Sequence, residues 1–126
     1  LRAIDEIPNC AALAARTSGC TRFFDVAELR VKESDRIEAI VTLLRAFGVD
    51  ASEHEDGFSV EGRPNQQLAA ARVDSHGDHR IAMTAAVLGL VADGPTVVED
   101  VACIGTSFPR FVGTLRALGA EVEVES

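Results

Sequence analysis

The sequence lacks any apolar run of about 18 residues, the length that a membrane-spanning helix requires. Residues 1–4 carry no signal-peptide pattern, and no low-complexity linker divides the chain. Basic residues are fewer than acidic residues: the chain has 12 Lys and Arg and 20 Asp and Glu, which gives a net charge of −8. This charge repels the phosphates of nucleic acids and anionic lipids, so we expect neither nucleic acid nor a membrane as a partner. An anionic ligand would need a local cluster of cations.

Cysteine is scarce as well. Cys10, Cys20 and Cys103 are odd in number, far apart and without a CxxC pair. We therefore predict small buried residues in a reduced compartment, and hence a cytoplasmic location, instead of a disulfide or a redox centre. The chain also lacks an initiator Met and opens in an apolar run, which we interpret as the mark of a piece of a longer protein.

The first half of the chain predicts alternating strands and helices. The 126 residues, of which 47 % are hydrophobic, suffice for one domain with a substantial core. The apolar spacing indicates the order β-α-β-α-β-β. Asp56-Gly57 predicts the turn of a hairpin between the last two strands. Helices are predicted at 5–18 and 34–47, the latter with a buried face formed by Ile37, Ile40, Val41, Leu44 and Phe47, and strands at 1–4, 21–26, 49–55 and 58–61.

The second half restarts the same order. The string LLRAFGVDASE of the first half parallels TLRALGAEVEV near the end, each a helix end followed by a strand. We therefore predict an α/β domain built by duplication, with units at 1–62 and 63–126. A helix at 78–92 is apolar nearly all round and is expected to be buried. The other predicted elements are a helix at 107–118, with Phe108, Phe111, Val112, Leu115 and Leu118 on one face, and strands at 71–74, 96–101 and 120–125.

Two arginines stand where a helix already attracts anions. Arg36 and Arg80 fall in the first turns of the helices predicted at 34–47 and 78–92. A helix N-terminus carries about half a positive charge, so a cation there adds to a field that favours anions. Either the two side chains are solvated and pair with Glu33 and nearby acids, or they converge on a small-anion site in which guanidinium groups fix the orientation of a phosphate or carboxylate.

Several acidic and histidine side chains have two interpretations each. Asp5 precedes the first helix and can cap it, or it can act with Glu33 in general acid–base chemistry. The string DSHGDHR offers metal-type ligands, but their spacing matches no known metal motif and Arg80 beside them would repel a cation. We therefore expect no metal. The ligand-type residues of the string are Asp74, His76, Asp78 and His79.

Three strings together resemble one enzyme family. LRVKESDRIEAI, DSHGDHRIAM and TSFPRF, in this order, are similar to the C-terminal part of the 5-enolpyruvylshikimate-3-phosphate synthases (3-phosphoshikimate 1-carboxyvinyltransferases). The resemblance implies three β-α-β-α-β-β units per domain, an inside-out α/β barrel, and helix N-termini that point into a cleft between two domains. It covers almost the whole chain but only the last third of a full-length member. The N-terminal domain is therefore the expected partner, and this chain alone is expected to be inactive.

The family's reaction is also part of what the resemblance implies. The 5-hydroxyl of shikimate 3-phosphate takes the enolpyruvyl group of phosphoenolpyruvate and phosphate is released, in the shikimate pathway to aromatic amino acids, without metal or organic cofactor. Asp5, 28 positions before Glu33, matches the base that takes the hydroxyl proton, and Glu33 matches a carboxylate in proton transfer. The matching substrate-binding positions are Arg36 and Arg80 for phosphoenolpyruvate, Lys32 for shikimate 3-phosphate, and Asp78 and His79 on the phosphoenolpyruvate side.

Two positions depart from the common family pattern. Glu28 stands where many members carry a substrate-contacting Asn, and Thr106 where many carry a Lys that touches phosphoenolpyruvate. The strings ELRVKESDR and TSFP are more similar to the second, glyphosate-tolerant class of these enzymes. Two other functions stay open at this point: a related transferase that acts on a UDP-N-acetylglucosamine substrate, and a non-catalytic anion-binding module.

Overall fold

The computed structural model describes residues 6–99, 101 and 110–121. Its α-helices are α1 (Ile7–Ala15), α2 (Arg36–Ala46), α3 (His79–Gly89) and α4 (Phe111–Ala117). Its strands are β1 (Gly19–Phe23), β2 (Asp50–His54), β3 (Gly57–Gly62), β4 (Arg72–Asp74) and β5 (Val97–Glu99). The predicted mixture of helices and strands is therefore confirmed. The predictions for residues 1–4, Asp5, Cys103, Thr106 and most of 120–125 lie outside the described residues.

The strands form two sheets of different kinds. In the first, β3 lies in the centre and pairs antiparallel with both β1 and β2. The predicted hairpin is confirmed, because β2 and β3 are joined by a tight turn at Glu55-Asp56. Gly57 follows the turn, and a Cβ atom there would overlap the Phe23 carbonyl oxygen, so only glycine fits the close approach of β1. In the second sheet β4 pairs parallel with β5, and α3 makes the crossover that such a pair requires.

Helix α2 lies at the centre of a core that runs through both halves of the chain. Its predicted apolar face is confirmed, since all five residues of that face are buried. They pack with Phe58 and Val60 of the first sheet and with Ile81 and Leu88 of α3 in one continuous cluster. The two halves therefore share a core, and the division into units at 62/63 stays a prediction.

Three predictions about burial are wrong. Cys10 and Cys20 are free and exposed, because Cys10 lies on the outer face of α1 and Cys20 on the edge strand β1. The burial expected for residues 78–92 is wrong at the exposed Val87, Leu90 and Val91. Helix α3 nevertheless contributes to two clusters, with Ile81 and Leu88 in the main core and Ala82 packed with Phe111 and Leu115 of α4. Leu118 follows the end of α4 and is exposed, whereas Phe111 and Leu115 are buried and Val112 is half-buried among the described residues of the predicted face.

Helix lengths and one element also differ from the sequence predictions. Within the described residues, α1, α2 and α3 are shorter than predicted, because capping and turn residues occupy their ends. The segment Ala27–Val31 forms a 3-10 helix that the apolar pattern did not reveal. Among the described residues, none of the helices combines the length and the apolar character that crossing a bilayer would need.

Candidate functional site

The start of α2 is fixed by a short network around Arg30. Asp35 is the N-cap of α2, and its side chain accepts a hydrogen bond from the Glu38 backbone N–H at 3.2 Å. The Arg30 guanidinium donates to Asp35 Oδ2 at 2.8 Å and to the carbonyl oxygen of His54 at 2.7 Å. The hydrogen bond to Asp35 is the main reason why the pKa of Arg30 is raised. Arg30 and Asp35 lie at the two ends of the segment that carries Lys32 and Glu33. The Arg30 side chain therefore joins these ends and fixes the segment to the hairpin of β2 and β3.

Arg36, the first residue of α2, is buried. Only 1 % of the residue is exposed. Its Nε atom donates to Asp78 Oδ2 at 2.8 Å and its Nη2 atom to Asp78 Oδ1 at 3.1 Å, which is the bidentate geometry that a carboxylate and a guanidinium favour. The same Nη2 atom contacts the Glu33 carboxylate. The solvated surface pair considered from the sequence is therefore wrong for Arg36.

Asp78 joins the starts of two helices. It is fully buried, caps α3 through the Arg80 backbone N–H, and accepts a hydrogen bond from Ser34 Oγ at 2.8 Å. Burial opposes ionisation of this carboxyl group, but the hydrogen bonds from Arg36 and Ser34 and the charge of Arg36 outweigh it. The pKa of Asp78 therefore lies below its ordinary value. With its oxygens occupied by protein donors, Asp78 is placed to orient Arg36 and not to line a cavity.

The starts of α1, α2 and α3 lie together. Arg36 begins α2 and contacts the cap of α3, while Arg80 Nη1 in the first turn of α3 donates at 2.8 Å to Glu6 Oε1, the cap position of α1. Three helix dipoles therefore present their positive ends to one region. Among the described residues, Arg36 contacts Asp78 and Glu33 whereas Arg80 contacts Glu6.

The cluster of side chains around Arg36 does not resemble a metal site. Ligand atoms of Glu33, Asp78 and His79 lie within 4.8 Å of one another. However, Arg36 contacts both of the carboxylates, and a cation would have to displace this guanidinium. Asp74 and His76 are the other ligand-type residues of the string DSHGDHR. Asp74 Oδ1 lies 3.7 Å from His76 Nδ1, and the two side chains form a separate exposed pair. The cluster is better described as a buried arginine held by two acids.

The remaining predicted site residues lie around this cluster or outside the described part. Lys32 is half-buried and ends the 3-10 helix, and Glu28 is exposed in the first turn of that helix. Glu33 is the member of the cluster that is open to solvent, with 53 % of its side chain exposed. Asp5 and Thr106 lie outside the described residues. Sequence reasoning missed Ser34 and Arg30, although both belong to the string LRVKESDRIEAI that carries the resemblance.

Acid is expected to remove the stability that Asp78 contributes. Because its pKa is lower in the folded than in the unfolded chain, the contribution is complete above the ordinary value of 3.8 and is lost as the pH falls through the folded pKa. Asp78→Asn has no such contribution, so the difference in free energy of unfolding between wild type and this variant should narrow below pH 3.8. Urea unfolding across the acid range measures this difference. Asp50→Asn, at the exposed pair with Arg63, is the control, and a constant difference for Asp78→Asn would contradict the assignment.

Comparison with known proteins identifies one enzyme family. The profile described as EPSP synthase (3-phosphoshikimate 1-carboxyvinyltransferase) matches residues 1–125. A relative from Parvibaculum lavamentivorans named 3-phosphoshikimate 1-carboxyvinyltransferase is 51 % identical over 117 residues, which are 93 % of this chain and 26 % of that protein. A relative of the same name from Geobacter metallireducens is 50 % identical over 119 residues, covering 94 % of this chain and 27 % of that protein.

A solved structure of the same family is similar to this chain in fold. EPSP synthase from Acinetobacter baumannii superimposes with a TM-score of 0.92 at 38 % identity, covering 98 % of this chain and 29 % of that protein. The chain spans about a quarter of the length of the curated relatives it matches. Because the family profile covers nearly all of its residues, the chain belongs to the EPSP synthase family.

Proposed function

We propose that this chain supplies the C-terminal part of an enzyme that transfers the enolpyruvyl group of phosphoenolpyruvate to the 5-hydroxyl of shikimate 3-phosphate. The observation that carries the proposal is the buried Arg36, held by Asp78 and Glu33 where helix starts meet. The charge of Arg36 is offset by its two acids, so the positive helix ends together with Arg80 and Lys32 would supply the local positive charge that both anionic substrates need in a protein of net charge −8. The names of the curated relatives support the same reaction.

Each proposed role follows from where the side chain lies. Arg36 is pre-oriented by its carboxylate partners, and Arg80 and Lys32 add positive charge for the substrate phosphates and carboxylate. Glu33 is exposed enough to reach substrate, and its contact with Arg36 holds the carboxyl group in place, so we propose that it gives a proton to the methylene carbon of phosphoenolpyruvate and takes it back. Asp5 is proposed as the base for the 5-hydroxyl. The hydroxyl oxygen forms a bond to C2 while its proton goes to Asp5 and C3 takes a proton from Glu33. In the second step C3 returns that proton to Glu33, the double bond re-forms, the carbon–oxygen bond between C2 and phosphate breaks, and phosphate leaves with the proton held by Asp5.

Two finer statements belong to the proposal. The strings ELRVKESDR and TSFP support assignment to the glyphosate-tolerant class, and the three scattered cysteines support a reducing, cytoplasmic location. The N-terminal domain of the enzyme is the proposed partner, and the isolated chain is expected to release no phosphate. No specific observation favours the UDP-sugar transferase or the non-catalytic module, and neither is proposed.

A chimera tests the proposed function. The matching quarter of the Parvibaculum relative is replaced by this chain, and phosphate release is measured with both substrates, with each alone, and with a UDP-N-acetylglucosamine acceptor. We expect turnover only with phosphoenolpyruvate and shikimate 3-phosphate together. A chimera that is monodisperse, with the thermal midpoint of the parent, and yet inactive would contradict the proposal. Resistance of the active chimera to glyphosate tests the class assignment separately.

A further inference from the structure

A ladder of polar contacts joins the first turns of α1 and α3. Arg80 Nη1 donates to Glu6 Oε1 at 2.8 Å, and Asn9 Nδ2 donates to the other oxygen, Glu6 Oε2, at 3.1 Å. Thr84, one turn after Arg80, donates from Oγ1 to Asn9 Oδ1 at 3.2 Å. Thr84 is 2 % exposed, so the ladder is anchored in the interior and ends at the more exposed Arg80.

Glu6 does not cap the backbone of the helix that it precedes. It stands at the N-cap position of α1, but its backbone is helical and its side chain makes no capping hydrogen bond. One carboxylate oxygen accepts a hydrogen bond from Arg80 of α3, and the other accepts one from the Asn9 side chain in the first turn of α1. Ordinary helix capping therefore leaves the placement of this side chain unexplained.

The ladder gives Arg80 a defined direction. An arginine side chain has about 2 kcal/mol of rotamer entropy, and 31 % of the Arg80 side chain is exposed, so packing alone leaves it many conformations. Ion pairing with an oriented carboxylate removes much of this freedom before a ligand arrives. A cation that is already oriented binds an anion with less loss of entropy.

We propose that Glu6 is a positioning residue for Arg80, acting through the Glu6–Asn9–Thr84 ladder to hold the guanidinium ready for the anionic substrate. This inference rests on the proposed function, in which Arg80 binds phosphoenolpyruvate. It adds three residues outside the strings that carry the family resemblance. The opposite role for Glu6 would be a counter-ion that must be displaced, and the two roles predict opposite changes in affinity.

The test uses the active chimera and steady-state kinetics with phosphoenolpyruvate varied. Glu6→Gln keeps the size and hydrogen-bonding groups but removes the charge, and we expect KM to rise about three- to tenfold with kcat within twofold. Thr84→Val should raise KM in the same direction by a smaller factor, and Thr84→Ser, which retains the hydroxyl, should restore it. Glu61→Gln, at an exposed glutamate of β3, is the matched control and should leave KM unchanged.

Variants of Arg80 separate this inference from the proposed function. Arg80→Ala should raise KM about tenfold or more, and adding Glu6→Gln to it should cause no further change. If Arg80→Ala raises KM but Glu6→Gln leaves it unchanged or lowers it, the positioning role is overturned and the proposed function stands. If Arg80→Ala leaves KM at the wild-type value, the proposed role of Arg80 itself fails. A change in thermal midpoint without a change in KM for the Thr84 pair would also overturn the inference.

Discussion

Replacing Arg36 by alanine is expected to lower the free energy of unfolding by about 3–5 kcal/mol. The reason is that Asp78 is fully buried and loses its bidentate partner, which leaves a charge in the interior without compensation. The remaining donors to Asp78, Ser34 Oγ and the Arg80 backbone N–H, carry no full charge and cannot replace the guanidinium. The pair also joins residues 42 positions apart, so its loss removes the charged contact between the start of α2 and the start of α3.

Urea unfolding of Arg36→Ala measures this loss against a matched surface arginine. Arg63→Ala removes the partner of Asp50 from an exposed ion pair and should change the free energy by no more than about 0.5 kcal/mol. Removing both members in Arg36→Met with Asp78→Asn should recover part of the loss, because no buried charge is then left unpaired. Equal small effects for Arg36→Ala and Arg63→Ala would show that the cluster is not a structural element of the fold.

Replacing Glu33 by glutamine is expected to lower kcat of the chimera by about 10²–10⁴-fold. Glutamine has nearly the same shape and can still accept a hydrogen bond from Arg36, so the cluster should stay assembled. It cannot give or take a proton at the substrate carbon, so the effect should fall on kcat much more than on KM.

The matched control for Glu33 is Glu38. This glutamate lies in the first turn of α2, the helix that Glu33 precedes, is exposed, and is expected to tolerate the change to glutamine with kcat within twofold. Single-turnover measurements with both substrates would separate the chemical step from product release. Wild-type kcat in Glu33→Gln would remove this carboxylate from the mechanism.

The sequence predicted the elements whose formation depends on local pattern. The apolar face of α2 recurs at helical spacing, and the structure buries all five of its residues. Asp56-Gly57 predicts the hairpin, and β2 and β3 do pair, although the turn lies one residue earlier than predicted, at Glu55-Asp56. These elements are determined by neighbours within a few residues, so their signals are present in a short window of sequence.

The parts of the site that depend on distant residues were not predicted. Both Arg36 and Asp78 were assigned to substrate binding by resemblance, whereas the structure pairs them with each other across 42 positions. The exposed positions of Cys10 and Cys20 depend on which helix face and which sheet edge meet the core, and composition carries no information about that choice. The contact between Glu6 and Arg80 likewise exists only once α1 packs against α3.

The most direct test of the account is hydrogen–deuterium exchange of the active chimera, measured with and without phosphoenolpyruvate and shikimate 3-phosphate. The account predicts slower exchange in peptides that cover residues 32–36 and 78–80, because both helix starts belong to one anion site. Peptides from the hairpin at residues 50–62 should be unchanged. Protection that omits both helix starts at saturating ligand, while phosphate is still released, would contradict the account.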